Sequence, residues 1–82
     1  MLHGYRVQFV DSIEEYDYKA GEWHRVQATG ARDAAGEAIT RSALAMQRIR
    51  HRCPVLACVL PETAKPPCCM ETFRLQPDPI LV

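Results

Sequence analysis

Residues 33–52 read DAAGEAITRSALAMQRIRHR, and the fold turns on how they are arranged. Ala35, Ala38, Ile39, Ser42, Ala45, Met46 and Ile49 recur at three- and four-residue spacing, the period of a helix that buries one face. The expectation is one continuous helix over 33–52, lying across a sheet, with Ile39, Met46 and Ile49 turned inward. A rotation of about 100° per residue then carries Glu37, Arg41, Leu44 and Arg48 to the outer side. A lone exposed leucine is ordinary on a protein surface. Its functional reading is an apolar anchor, with Arg41 and Arg48 one turn to either side as multi-donor partners. The run RIRHR at 48–52 concentrates positive charge at the helix end, where it suits the negative end of the helix dipole without any ligand. In the alternative reading Arg48, Arg50 and Arg52 contact a partner or a phosphate backbone.

Outward from this helix, residues 5–10 alternate Tyr5, Val7 and Phe9 with Arg6 and Gln8, which predicts a half-buried strand. A second strand is expected at 23–28, with Val26 and Ala28 on one face and Trp23, Arg25 and Gln27 on the other. An antiparallel hairpin is the economical pairing. The connection DSIEEYDYKAGE at 11–22 carries Asp11, Glu14, Glu15 and Asp17 with Tyr16 and Tyr18 interleaved. Such acids need no partner on a solvated turn. Alternatively, tyrosine supplies contact area at low entropic cost while the carboxylates meet a basic surface.

Beyond the helix, Pro54 ends the pattern and residues 55–60 form a nearly all-apolar strand suited to the sheet interior. A proline-rich loop over 61–68 leads to a fourth strand at 70–75 with Phe73 and Leu75 inward. The tail QPDPILV at 76–82 ends in three apolar residues that could cover a core edge or meet another chain. The expected fold is therefore α+β, one domain over 1–82. A four-stranded antiparallel sheet is covered on one face by a single helix, in the order ββαββ. The other sheet face is expected to be open, displaying Arg6, Gln8, Trp23, Arg25 and Gln27.

The chain has 82 residues, 48% of them hydrophobic, which fits one thin core, and a homodimer is one way to bury more surface. Ten basic residues balance ten acidic ones, so no long-range field draws polyanions and any such site is local. No apolar run approaches the roughly twenty residues that span a bilayer, and the opening MLHGYR lacks a signal-peptide pattern. The expectation is a cytoplasmic protein with no membrane partner and with its cysteines reduced.

Cys53, Cys58 and the adjacent Cys68 and Cys69 are spaced C-x4-C-x9-C-C, without the CxxC knuckle of a structural zinc site. Cys58 reads as a small core side chain. The metal alternative groups Cys53, Cys68 and Cys69 with His51, and no metal or other cofactor is expected. His3, His24 and His51 follow no ligand or catalytic spacing, and Gly30 and Gly36 match no phosphate-binding loop. The sequence therefore predicts no catalytic residues. Candidate partner-contacting residues are Arg41, Leu44, Arg48, Arg50, Arg52, Tyr16, Tyr18 and Trp23. A direct nucleic-acid binder is the alternative, with arginines on phosphates and Trp23 stacked on a base.

Residues 22–46, EWHRVQATGARDAAGEAITRSALAM, carry a polar strand into an alanine-rich helix through a short turn. In this the chain resembles the small strand, strand, helix, strand proteins of bacteriophages and mobile elements, some anti-CRISPR proteins among them. The resemblance implies an inhibitor that occupies a protein surface, such as that of a nucleic-acid-processing or CRISPR effector complex, with no cofactor and no turnover.

Overall fold

The computed structural model describes residues 1–64 and 70–75, so the second half of the proline-rich loop, Cys68 and Cys69, and the 76–82 tail lie outside the described residues. The elements run β1 (His3–Val10), a 3-10 turn (Ile13–Glu15), β2 (His24–Ala28), α1 (Ala31–Ile39), α2 (Ala43–Arg50), β3 (Val55–Pro61) and β4 (Glu71–Leu75). The expected four-stranded antiparallel sheet is present, with strand order β2-β1-β3-β4. The all-apolar β3 takes an interior position, as its composition required.

The helix layer differs from expectation, because the stretch at 33–52 forms two helices rather than one. Ser42 adopts an extended backbone, and its hydroxyl accepts the Ala45 N–H at 3.1 Å, capping a new helix. Ahead of the break, Arg41 and Ser42 donate to the carbonyls of Ala38 and Ile39, three residues back, which tightens and closes α1. The apolar period masked this start signal because Ser42 is itself buried. The break also resets the helical phase. Ala34, Ala35, Ala38 and Ala45 are buried, whereas Ile39 and Ile49 are only half-buried and Met46, expected inside, is exposed.

Register places Tyr5, Val7, Phe9, Val26, Ala28, Val55, Ala57, Val59, Phe73 and Leu75 on the helix side, where they form the core with the helix alanines. Side chains reduced to a methyl let α1 lie close over the sheet. The expected hairpin is also present, with Tyr5 opposite Val26 and Arg6 opposite Arg25.

The second sheet face is open only in part: Arg25 and Gln27 are exposed on it, as expected, whereas its centre is covered. Gln8, Val10, Cys58 and Leu60 point away from the helices yet are buried, and the 11–23 segment folds back over this face. The Gln8 carboxamide clamps it, donating to the Asp17 carbonyl at 2.9 Å and accepting the Asp17 N–H at 3.0 Å. The Asp17 carboxylate in turn accepts the N–H groups of Lys19 and Ala20, both at 2.9 Å, and fixes the turn. These backbone donors, Ala20 first and then Lys19, hold the Asp17 carboxyl below its ordinary pKa.

The end of α2 shows one strained residue. Cys53 N–H donates to the Arg48 carbonyl at 2.7 Å and Arg52 N–H to the Ile49 carbonyl at 3.0 Å, a Schellman closure with Arg52 left-handed at φ 59°. Glycine suits this position better than a residue bearing a Cβ. Replacing Arg52 by glycine should therefore raise unfolding free energy by about 0.5 kcal/mol, the relief of left-handed strain less glycine's greater unfolded-state entropy. Urea denaturation measures it, and a loss of stability would show that the arginine side chain supports the fold.

Candidate partner-binding site

The outer face of α2 and the acidic turn meet at the start of β2. Arg48 makes two hydrogen bonds to the Asp11 carboxylate, Nε at 2.8 Å and Nη2 at 2.7 Å, and so ties α2 to the end of β1. This pairing raises the guanidinium pKa further, and it makes Arg48 a structural tie. Beside it, Leu44 overhangs a depression of about 260 Å³ whose lining includes Glu15, Gly21, Glu22, His24 and Ser42. Leu44 is exposed, one helical turn before Arg48. The His24 imidazole packs against the Phe9 ring, with centroids 6.1 Å apart, and its Nε2 lies 4.0 Å from the Glu22 carboxylate. The result is an apolar anchor beside an acid-edged hollow.

Tyr16, Tyr18 and Trp23 are brought together, but on the opposite face of the sheet. Both tyrosine rings meet the indole edge-on at 6.0 Å, and the indole N–H donates to the Tyr18 carbonyl at 2.9 Å. The Arg6 guanidinium stacks at 5.5 Å from the Tyr18 ring centre and 5.4 Å from that of Trp23, while its Nη2 donates to the Ala64 carbonyl at 2.6 Å. Trp23 thus completes a packed aromatic lid, and its N–H is already used. Burial raises the Tyr16 phenol pKa, with Cys58 and Tyr18 adding to the effect and Arg6 opposing it. Burial likewise pushes the Cys58 thiol up, which suits a core side chain. Among the described residues, Tyr16 Oη and Arg6 Nε are buried without a hydrogen-bond partner.

The predicted partner residues therefore separate. Arg41 and Leu44 lie on the helix layer near β2, Arg50 and Arg52 are exposed at the end of α2, and Arg48 is committed to Asp11. Trp23 and Arg25 flank the face away from the helices, so the arginine run and the indole do not share one surface. Sequence reasoning did not single out Gln8, Glu22 or His24 as site-forming residues. Alternation alone signalled the face of Gln8, while its pairing with Asp17 depends on a fold-back that no local pattern encodes.

No family model, curated protein or solved structure matches the chain. The chemistry of the surface therefore carries the functional reading. Among the described residues no three His, Cys, Asp or Glu side chains are grouped to hold a metal ion. Nor is any described helix long and apolar enough to cross a membrane.

Proposed function

We propose that this chain is a non-enzymatic protein-binding inhibitor that works in the cytoplasm of the cell that makes it and blocks a heterologous protein surface. A bacterial nucleic-acid-processing or CRISPR effector complex is the proposed target class. The observation that carries this reading is the exposed Leu44 beside a hollow edged by Glu15 and Glu22. A desolvated leucine supplies affinity, and carboxylates at the rim select a basic partner surface. With Arg48 held by Asp11, the helix end presents less free positive charge than its sequence suggests.

Capture of partners with and without nuclease, followed by calorimetry on the retained protein, tests this. A protein partner should survive nuclease, and Leu44→Ala should weaken it by about 1–2 kcal/mol with the fold unchanged. Loss of all retained material on nuclease treatment would instead support a direct nucleic-acid binder. The exposure of Arg50 and Arg52 favours that second reading. Reversing those two charges should then flatten the salt dependence of binding, and Arg48 is left intact because its reversal would break a structural tie.

A further inference from the structure

β2 is an edge of the sheet, so one side of its backbone faces away from β1. Edge strands are commonly blunted by proline, lysine or a bulge. The segment HRVQA contains neither residue and pairs with β1 in unbroken register. Along this edge Arg25, Val26, Gln27, Arg41 and Glu62 line an open depression of about 260 Å³. Arg25 stands opposite Arg6 in register and so lies on the face away from the helices. Its side chain is 77% exposed, and Nη1 is 4.0 Å from the Glu62 carboxylate. Arg41 reaches the same depression from the junction between α1 and α2 and is exposed. Among the described residues, two guanidinium groups thus bracket a strand edge without a pairing neighbour, one from each side of the sheet.

We propose that β2 is a docking edge for an extended acidic segment of a partner protein. This rests on the protein-binding reading above but uses a different surface. Added strands take their affinity from main-chain hydrogen bonds and their selectivity from alternating side chains. Because side chains alternate between faces, two consecutive acidic residues in the incoming strand direct one carboxylate toward Arg25 and the next toward Arg41. The same arginines disfavour a second copy of β2, since two-fold pairing centred on Val26 sets Arg25 diagonally against its counterpart and brings the Arg41 pair to the axis. The charge that recruits an acidic strand therefore also guards the edge against self-pairing.

The test uses labelled peptides Thr-Val-Glu-Glu-Val-Thr and Thr-Val-Lys-Lys-Val-Thr, with affinity read by fluorescence anisotropy and the site by amide NMR shifts. The acidic peptide should bind at least about tenfold more tightly than the basic one, and the amide shifts should centre on residues 24–28. Arg25→Glu with Arg41→Glu should invert the preference, and the unmodified protein should show no association through β2. Equal affinities, no binding of the acidic peptide up to about 1 mM, shifts centred elsewhere, or self-association through β2 would overturn the proposal. Leu44→Ala should leave peptide binding unchanged. If the peptide fails while a partner sensitive to Leu44→Ala is still captured, the strand-edge proposal falls alone; if the peptide binds and capture fails, the Leu44 reading falls.

Discussion

Replacing Gln8 by leucine should lower unfolding free energy by about 2–3 kcal/mol, because both hydrogen bonds to the Asp17 main chain vanish and their partly buried partners are left unpaired. Gln8 is 2% exposed, so a leucine there would also be buried on folding, and the net loss is what remains after that gain. The consequence should be local as well as global. The 11–23 segment loses its clamp, and Trp23 fluorescence should shift to the red as the aromatic lid loosens. Gly21→Ala should act through the same contact, since a Cβ there would overlap the Gln8 carboxamide. The two substitutions should therefore be less than additive. Because Gly21 and Glu22 also line the hollow beside Leu44, loosening this segment should weaken partner binding without touching the anchor. Unchanged stability and an unshifted Trp23 spectrum in Gln8→Leu would contradict the clamp.

The largest loss should come from Leu60→Ala, at about 3 kcal/mol and within the range for deleting a fully buried leucine. Leu60 has no exposed surface and lies opposite Arg6 on the face away from the helices, on an interior strand paired on both sides. A domain of this size has of order 5–10 kcal/mol in total, so the variant should unfold at much lower urea concentration with its m-value preserved. Leu44→Ala is the matched control, since an exposed leucine contributes little to folding. A Leu60→Ala cost below about 1 kcal/mol would mean that this face is not a packed second core.

Much of the sheet was legible because its signals are local. Alternation in β1 and β2, the apolar run of β3 and the return at Phe73 and Leu75 each follow from a two-residue period within a few positions. These patterns also identified which residues of the first hairpin share a face. Leu44 was likewise legible as an outward residue and stays outward in α2, whereas Met46 changes sides when the phase resets at Ser42.

The sequence alone determined four strands, an alanine-rich helical segment between the second and third, and the alternation that sorts side chains between the two faces. Tertiary structure decided the rest. It split the helical segment at Ser42, because a buried hydroxyl at an apolar-stripe position is compatible with either a continuous helix or a cap until the sheet beneath fixes where each turn can pack. It committed Arg48 to Asp11, thirty-seven positions away, and so removed a free charge from the surface. It also covered the centre of the face expected to be open, because the returning 11–23 segment hydrogen-bonds the Gln8 carboxamide and lays Tyr18 and Trp23 against the Arg6 guanidinium, two side chains that are merely polar in the local pattern. Local periodicity reports which side chains share a face, whereas the cover over that face is set by long-range hydrogen bonds and packing that exist only in the folded chain.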